Sequence, residues 1–566
     1  MPDSPHRSVS CLIGTCEATQ GGRRRDPAVM HKEPINPTTL RTGECPDYGP
    51  GNGHGVSIDA AAGGHHAGPV RPGLPSWGTA CVEAQPGGDA MAQVAIVGGG
   101  IGGLATALFL GRRGHTVVVF EREERRPTGD LDGDFLDWSR PRIPQVVQPH
   151  AFLAPVRTVL RSEVPDVYAA MLDMGAREYH EFDWFTEHPP VRPGDEDLVA
   201  VRTRRILLET ALNDAVSREP NVEVRLDDPV EGLVMDHGGD VPRVTGVRTA
   251  SGVFSADLVV DAAGRRSPVG DWLAESGART PVVESHRVGR AYFSRWYRLR
   301  PDGPQDPGRV WDVAVTPFAI NLVFPADNGV FAVTFAVPVT DPTRLALRDP
   351  AVFDAAARRF PASGPWLGLD PDGMGDVQVM AGLDNRWSGL VDEAGPVVTG
   401  LVGVGDSITH TNPTLGQGVA LTLLAAQRVA TTIDTCADPA AFATDYHAWA
   451  VRTLKPWFDH QVAVDSGDEV LFSRDKGQAA PPPRTFDDGS RAQFAATPCA
   501  MEDPVVMRAR AQVRHLAVAP DRAFQVEEVR EHLAHWLTRH PEFPSMPEFV
   551  SRAEWQALTG TETTGG

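Results

Sequence analysis

The amino-acid sequence predicts an α/β fold, in which a three-layer domain around a parallel sheet carries an inserted antiparallel β-sheet domain and a C-terminal helical lobe. Three observations predict this arrangement. A short apolar strand at 93–97 runs directly into a glycine-rich turn and then into an apolar helix. Residues 276–385 contain short runs of β-branched and aromatic residues, which are typical of antiparallel strands. Residues 436–566 have a mainly helical pattern.

Residues 1–90 differ from the rest of the chain in composition. They hold 15 of the 56 glycines, 11 of the 49 prolines and four of the six cysteines. No helical or strand period is present, so we expect a disordered, low-complexity extension, because such a segment buries too little apolar surface to offset the entropy of ordering it. Met91 stands just before the first predicted strand, and we expect it to be the natural start of the protein.

The charge and hydropathy of the 566-residue chain argue against several classes of function. Lys and Arg number 53 and Asp and Glu number 74, a net charge of −21 that argues against nucleic acid as a partner. No apolar run is long enough for a membrane span or a signal peptide, so we expect a cytoplasmic protein. No Cys-x-x-Cys and no cluster with metal-ligand spacing is found, which argues against thiol redox chemistry and a metal site.

The glycine-rich turn has the spacing of a dinucleotide-binding fold. Gly98, Gly100 and Gly103 satisfy G-x-G-x-x-G between a strand and a helix, and Glu121 closes the second strand 23 residues after Gly98. Gly98 permits the tight turn, Gly100 lets the backbone approach a pyrophosphate, and Gly103 lets helix and strand pack closely. The start of the helix offers free N–H groups to phosphates, and Glu121 can accept hydrogen bonds from a ribose diol, which disfavours NADP here. Arg122, the next residue, is included in the predicted site.

Two later segments extend this pattern. Arg205 begins a helical stretch in which Leu208 and Leu212 follow with the spacing R-x-x-L-x-x-x-L. A basic helix start with a leucine stripe on the core is the alternative interpretation of that stretch. Further along, an apolar strand at 256–262 ends in a glycine turn at Gly264.

A third glycine motif follows an apolar strand near residue 400. Asp406 comes after the strand, then Pro413, and then Gly416, Gln417 and Gly418 at the start of a helical stretch. Glycine lets the backbone approach a bound group closely, and a helix start offers N–H groups and a positive dipole end that favour negative charge.

Together these motifs resemble the FAD-dependent monooxygenase superfamily with the p-hydroxybenzoate-hydroxylase type of fold, over residues 91–435. The most similar branch is that of the bacterial epoxidases, which includes styrene-monooxygenase-like enzymes. The resemblance implies FAD as the cofactor, with Arg205 near the pyrophosphate, Asp406 on the ribitol and the helix after Gly416 at the flavin N1–C2=O edge. It implies an FAD-binding domain in two parts, at 91–275 and 386–435. An inserted β-sheet substrate domain is expected at 276–385, and a C-terminal, mainly helical lobe at 436–566.

The resemblance also implies an activity. In such enzymes reduced FAD reacts with O₂ to form a C4a-hydroperoxide, which transfers one oxygen atom to an alkene or an aromatic carbon. The expected substrate is a small apolar organic molecule of secondary metabolism, and electrons come from NAD(P)H, directly or through a separate flavin reductase. Ala263 and Gly264 replace the Asp-Gly pair that related hydroxylases carry at this turn, which weakens the case for NAD(P)H docking on this chain.

Gln145 and His150 are the candidate catalytic residues. They lie in a P-Q…H-x-x-L segment similar to one that lies beside the flavin in the epoxidase branch, so either side chain can hydrogen-bond the flavin or an oxygenated intermediate. Roles in a loop and a helix cap are the alternative. Five aromatic side chains either line an apolar pocket or pack in the core: Trp184, Phe185, Tyr292, Trp296 and Phe318.

Two other functions remain open at this point. A reductase or dehydrogenase of the geranylgeranyl-reductase type shares the first and last glycine motifs. A flavin-dependent cyclase, or a flavin-binding protein without turnover, is the second alternative. The chain has no second strand–glycine–helix unit and no Trp-x-Trp-x-Ile-Pro segment, which argues against a separate NAD(P)H domain and against a flavin halogenase.

Overall fold

The computed structural model describes most of the chain from Met91 onward. The described residues are 91–140, 143–435, 438–474, 490–541 and 549–560. The extension predicted at residues 1–90 lies outside them.

The first part of the described chain alternates strands and helices. Its elements, in chain order, are β1 (Gln93–Val97), α1 (Ile101–Gly111), β2 (Thr116–Phe120), α2 (Leu131–Leu136), α3 (Ala154–Glu163), α4 (Pro165–Asp173), β3 (Arg177–His180), β4 (Val199–Arg202), α5 (Arg205–Ser217), β5 (Val222–Arg225), β6 (Val230–Asp236), β7 (Arg243–Thr249), β8 (Gly252–Ser255), β9 (Leu258–Asp261) and α6 (Val269–Glu275).

Strands dominate the middle part. Its elements are β10 (Val282–Arg287), β11 (Arg290–Arg298), β12 (Val313–Val315), β13 (Ile320–Pro325), β14 (Val330–Pro338), α7 (Pro350–Ala357), α8 (Gly364–Leu367), β15 (Asp372–Ala381), β16 (Asp384–Gly389), β17 (Val391–Asp392), β18 (Gly395–Pro396), β19 (Leu401–Gly403), β20 (Thr409–His410) and α9 (Gly418–Thr432).

The described elements of the last part are helices. They are α10 (Pro439–Thr453), α11 (Lys455–Arg474), α12 (Ser490–Ala500), α13 (Pro504–Arg514), α14 (Pro520–Ala523), α15 (Glu527–Arg539) and α16 (Arg552–Leu558). Within the described ranges, no helix is both long enough and apolar enough to cross a lipid bilayer.

A five-stranded parallel sheet with the strand order β19-β9-β1-β2-β5 forms the middle layer of the first domain. Val94 and Ile96 of β1 belong to the core formed with helices α1, α5 and α9, whereas Ala95 and Val97 belong to the core formed with the three-stranded sheet β6-β7-β8. Burial on both faces is the reason why this strand is apolar throughout. The three layers around a parallel sheet confirm the predicted fold class.

A second five-stranded sheet is antiparallel, with the order β12-β13-β14-β11-β15. One of its faces packs against α7 and α16, where the ring of Phe335 meets the rings of Phe353 and Trp555 at centroid distances of 5.2 and 5.4 Å. The other face carries a smaller apolar cluster, which here is called the roof. The roof residues are Tyr292, Ile320, Leu322, Ala336, Met380 and Leu383.

β16 is the middle strand of a third, three-stranded sheet, β10-β16-β20, which contacts the C-terminal helices. It pairs with β10 on one side and with β20 on the other, and it contacts α11. β16 crosses the boundary predicted between residues 385 and 386, so this strand is shared between the predicted substrate domain and the second part of the FAD-binding domain. After β20 the chain returns to the first domain through α9, which packs on α1.

The C-terminal helices join three different parts of the fold. α10 and α11 contact α9 and β16, respectively, and α16 covers the outer face of the antiparallel sheet. α12, α13 and α15 form a separate core with Phe182, Trp184 and Leu198. A buried bidentate ion pair secures this core, because Arg508 of α13 donates to both carboxylate oxygens of Asp195 at 2.7 and 2.8 Å.

Removal of this ion pair is expected to destabilise the protein. The variant Asp195→Ala leaves the buried guanidinium of Arg508 without its carboxylate, a change that lowers the free energy of unfolding by about 3–5 kcal/mol. Denaturant unfolding measures the change. The matched control is Glu528→Ala, which removes an exposed ion pair with Arg192 and is expected to cost less than about 1 kcal/mol. Equal losses for the two variants would contradict the assignment.

Candidate functional site

The glycine turn after β1 is shaped by two close backbone contacts. Gly98 has a φ of +103°, and a Cβ at this position would lie 2.6 Å from the carbonyl oxygen of Ala262. A Cβ on Gly103 would lie 1.9 Å from the carbonyl oxygen of Gly98. By contrast, Gly100 caps α1, and the space beside it is open, with no atom within 4 Å of an added Cβ. Gly98 and Gly103 therefore serve packing, whereas Gly100 borders a free surface.

A cleft opens beside this turn, with Gly99, Glu121, Trp138, Arg140 and Glu209 among its lining residues. The carboxylate of Glu121 closes the cleft at the end of β2 and accepts hydrogen bonds from the backbone N–H groups of Gly99, at 2.5 Å, and the residue two positions on, at 2.9 Å. The acid thus lies where a dinucleotide site needs it.

Arg122, the other residue predicted at the ribose end, is exposed and is not among the residues that line the cleft. The structure thus does not bring Arg122 to the cleft with Glu121. Successive side chains point to opposite sides of an extended chain, so two neighbours seldom line one cleft.

Arg205, at the first position of α5, belongs to a buried charged cluster at the same cleft. Its Nε donates to Glu209 at 2.7 Å, and Arg140 donates to the other oxygen of Glu209 at 2.6 Å. Burial alone would raise the pKa of Glu209, but the two guanidinium groups hold that pKa below its ordinary value. The Nη groups of Arg205 make no hydrogen bond to a described residue, which leaves them available to an anion such as a pyrophosphate.

The other predicted binding residues follow the carboxyl ends of β9 and β19 in the chain. Asp406 lies in a 3₁₀ turn after β19 and is partly exposed, and Pro413 begins a second turn of this kind. Gly264 and Gly416 both have a positive φ, of +80° and +68°. The N-cap of α9 is Gln417, and the space beside Gly418 at the first helical position is open, so the first N–H groups of this helix face a free surface.

The segment with the candidate catalytic residues lies against this glycine loop. A Cβ on Gly416 would lie 2.4 Å from the Cβ of Ala151. His150 is partly buried, its Nδ1 lies 2.9 Å from the carbonyl oxygen of Gln148, and burial together with the charge of Arg205 lowers the pKa of the ring to about 3. The ring is therefore neutral and a poor proton acceptor. The side chain of Gln145 makes no hydrogen bond to a described residue.

Gln148, which no motif indicated, is better placed than Gln145 to contact a bound ligand. It is buried, its Oε1 accepts a hydrogen bond from the hydroxyl of Ser294 at 2.7 Å, and its Nε2 has no partner among the described residues. Ser294 lies on β11, two residues after Tyr292 and on the same face of the strand. No local sequence signal separates Gln148 from Gln145, because its contact with Ser294 spans 146 residues of chain.

The five aromatic residues do not form one pocket. Of the five, only Tyr292 belongs to the roof, where burial raises its pKa to about 12. Trp296 packs on Phe135 and donates from Nε1 to the carbonyl oxygen of Val147 at 2.8 Å. The remaining three lie in the core with the C-terminal helices or on the outer face of the antiparallel sheet: Trp184, Phe185 and Phe318.

A second cavity lies between α10, β16 and the ends of β9 and β19. It contains the carboxyl group of Asp261, which accepts hydrogen bonds from the hydroxyl of Ser267 at 2.6 Å and from the N–H of Ala263 at 3.1 Å. Burial outweighs these bonds and raises the pKa of Asp261 to about 6. Among the described residues, no group of three or more His, Cys, Asp or Glu side chains has the arrangement of a metal site.

The residues of the first site fit FAD on observations of this structure. Open space beside Gly100 and Gly418 leaves room at the starts of α1 and α9, where free N–H groups favour negative charge. Arg205, whose partner Glu209 lines the cleft beside Gly99, supplies a cation. Two buried polar atoms without a partner, Gln148 Nε2 and Gln417 Oε1, indicate that a polar ligand completes this end of the site.

Comparison with known sequences supports this fit. Residues 93–129 match the model of a family described as FAD dependent oxidoreductase. Protein Rv3254 of Mycobacterium tuberculosis is 29% identical over 373 residues, which cover 60% of this chain and 72% of that protein. The chloroplastic zeaxanthin epoxidase of Solanum lycopersicum is 30% identical over 188 residues, 31% of this chain and 25% of that enzyme.

Among solved structures, PqsL, a probable FAD-dependent monooxygenase from Pseudomonas aeruginosa, matches with a TM-score of 0.50 and 19% identity over 68% of this chain and 97% of its own. PqsL in complex with 2-aminobenzoylacetate matches with a TM-score of 0.51, at the same identity and coverage. At this level of identity the likeness concerns the fold. The predicted resemblance is confirmed: the chain has the fold of an FAD-dependent monooxygenase, and the prediction of an FAD-dependent oxidoreductase enzyme is confirmed.

Gly103 packs against the backbone and Gly100 borders open space, so replacing each by alanine is expected to change stability and FAD binding differently. Gly103→Ala places a Cβ against the Gly98 carbonyl, and we expect it to destabilise the FAD-free protein by about 3 kcal/mol or more. Gly100→Ala adds its Cβ to open space, so the FAD-free protein should lose less than about 1 kcal/mol, whereas FAD binding weakens. Thermal unfolding and FAD titration measure the two effects. Equal destabilisation, or normal FAD affinity of Gly100→Ala, would contradict this division.

The buried carboxyl of Asp261 predicts a pH-dependent stability. Because its folded pKa of about 6 exceeds the unfolded value of about 4, the folded state binds the proton more tightly, and stability falls as pH rises between these values. Asp261→Asn should therefore raise the free energy of unfolding by about 1–3 kcal/mol near pH 8 and by little below about pH 4. Denaturant unfolding across pH tests this. The exposed Asp240→Asn serves as control, and a loss of stability of Asp261→Asn at every pH would contradict it.

Proposed function

We propose that this chain is an FAD-dependent monooxygenase that inserts one oxygen atom from O₂ into a small, neutral and largely apolar organic substrate. One observation carries the proposal: the roof, an apolar sheet face, contacts the loop that precedes Gly416 through the hydroxyl of Tyr292, which donates to Asn412, and the buried side-chain amides of Gln148 and Gln417 each keep an atom without a partner among the described residues. This arrangement suits a reaction in which a bound cofactor and an apolar molecule meet away from water.

The chain's own residues would hold FAD along its length. The turn at Gly98, Gly100 and Gly103 would receive the pyrophosphate at the start of α1, with Glu121 at the adenosine ribose. Arg205 would add its positive charge to the pyrophosphate. When bound and reduced, FAD would supply the electrons that activate O₂ for the transfer of one of its oxygen atoms.

The ribitol and the ring would lie at the second set of glycines. Asp406 would accept hydrogen bonds from ribitol hydroxyls, and Gly264 would allow the cofactor to pass close to the backbone. Pro413 shapes the loop before α9. At the start of that helix, Gly416, Gln417 and Gly418 would place free N–H groups against the ring edge that becomes negatively charged on reduction.

The roof supports an apolar substrate, because its side chains are hydrocarbon or aromatic and are packed to exclude water. Tyr292 and Ser294 of β11 direct polar atoms toward the loops at 145–150 and 412–418, and both are already hydrogen-bonded there. Gln148 Nε2 is the remaining donor. It would orient a substrate through one acceptor oxygen, and Ser294 fixes the direction of its amide.

The charges around the roof support a neutral substrate. His150 is neutral because its pKa is about 3, and Tyr292 is neutral because its pKa is about 12. Arg205 is paired with Glu209, and a second buried arginine, Arg290, contacts a carboxylate of α11 at 3.2 Å. With the Nη groups of Arg205 engaged by the pyrophosphate of FAD, a substrate carboxylate would find no uncompensated cation among the described residues of this wall, and a charge buried without a partner is costly.

Epoxidation and hydroxylation are both consistent with this site. The matching segment of zeaxanthin epoxidase favours epoxidation, although it covers only 25% of that enzyme. The electrons would come from NAD(P)H, directly or through a separate flavin reductase. A role in secondary metabolism and a cytoplasmic location remain predictions from the sequence.

Oxygen incorporation tests the proposed activity. Purified protein with FAD and a reductant is incubated under labelled O₂ with an organic extract of cells that lack the protein. The account predicts a product that carries one labelled oxygen atom and does not form without the protein. Under labelled water with ordinary O₂ the same product should remain unlabelled. A hydrogenated product without label would contradict the proposal and indicate a reductase.

A further inference from the structure

A buried polar network joins helix α11 of the C-terminal lobe to the loop that precedes α9. Its centre is Asp465, which is 4% exposed. Asp465 Oδ1 accepts a hydrogen bond from Asn412 Nδ2 at 2.8 Å, and Oδ2 accepts one from Asn385 Nδ2 at 2.7 Å. Arg290 Nη1 lies 3.2 Å from Oδ1, and Arg290 Nη2 donates to the backbone carbonyl of Asp465 at 3.1 Å. One carboxylate thus contacts β11, β16 and the loop.

Asn412 is the point at which this network holds the loop. Its backbone N–H donates to Asn385 Oδ1 at 2.6 Å, and its side-chain Nδ2 donates to the hydroxyl of Thr414 at 2.6 Å. Its Oδ1 accepts a hydrogen bond from the hydroxyl of Tyr292 at 2.5 Å. The backbone and both ends of the side chain of Asn412 are therefore fixed by partners on three other parts of the fold.

The position of Asn412 determines where the glycine loop lies. Thr414, which the network also contacts, belongs to the turn at Pro413–Leu415, and Gly416 follows it in the left-handed conformation. A buried carboxylate is costly unless donors surround it, so the side chains of Asn412, Asn385, Arg290 and Gln461, whose Nε2 donates to Oδ1 at 3.1 Å, have one favoured arrangement around Asp465. Asp465 and Asn412 are not among the residues proposed to contact FAD.

We propose that Asp465 is a positioning residue for the cofactor. Through Asn412 it sets the backbone of residues 413–418 at the place where this loop meets the flavin ring. The C-terminal lobe is then part of the FAD site rather than only a cover for the core. This inference rests on the proposed FAD site, but it does not depend on the oxygen chemistry or on the substrate.

The variant Asp465→Asn tests the inference on the full chain. It keeps the shape of the side chain but removes the charge and gives Asn412 and Asn385 a competing donor. We expect the dissociation constant for FAD to rise about tenfold or more, measured by the quenching of FAD fluorescence. At saturating FAD, the visible absorption spectrum of the bound flavin should also change, because the loop meets the ring differently.

Asp195→Asn is the matched control. Asp195 is as deeply buried as Asp465 and pairs with an arginine, Arg508, but it lies in the core of α12, α13 and α15. We expect this control to lower the thermal midpoint while leaving FAD affinity and the flavin spectrum unchanged. The inference is overturned if Asp465→Asn binds FAD like the unchanged protein, or if Asp195→Asn weakens FAD binding to the same extent.

Tyr292→Phe provides a second, milder test that keeps the ring and removes only the hydroxyl bonded to Asn412. It should fold, weaken FAD binding less than Asp465→Asn does, and combine with it less than additively, because both act through Asn412. If the two effects are fully additive, or if Tyr292→Phe leaves FAD affinity and the flavin spectrum unchanged, Asp465 does not act on the loop through Asn412. If the unchanged protein binds no FAD, the proposed function itself is refuted, which separates that failure from this one.

Discussion

The close backbone approach of α1 to β1 is the constraint on which the rest of the structure depends. Gly103 lies so near the Gly98 carbonyl that no side chain fits between them. Because of this contact, the start of α1 reaches the end of the parallel sheet, where Gly99, Glu121 and Glu209, the ion-pair partner of Arg205, line one cleft. β9 and β19 lie on the other side of β1, so the chain brings Gly264 and Asp406 to the same edge of the sheet.

The two ends of the proposed FAD site are held by different kinds of interaction. Main-chain packing forms the end at Gly98–Gly103, whereas buried polar side chains form the end at the Gly416 loop. The second kind draws on β11, β16 and α11, so the antiparallel sheet and the C-terminal lobe both contribute to it. A hydrogen-bonded polar network is directional and permits one arrangement, which suits a loop that must meet a planar ring.

The sequence predicted those parts of the site whose signal is local. Gly98, Gly103 and Glu121 lie within one strand–helix–strand unit, and their spacing reflects one turn. Gln148 and Asp465 were not predicted, because each acquires its partners only when distant segments meet: Ser294 is 146 residues from Gln148, and Asn412 is 53 residues from Asp465. The neutral state of His150 likewise follows from tertiary burial, which no motif contains.

A crystal structure of the full chain soaked or grown with FAD tests the central claim most directly. The account predicts density for one FAD per chain, with the adenosine ribose at Glu121, the pyrophosphate at the start of α1 near Arg205, and the ring between the Gly416–Gly418 loop and the roof. The second cavity beside Asp261 should contain no flavin. A flavin bound elsewhere, or a ring that lies away from the start of α9, would contradict the account.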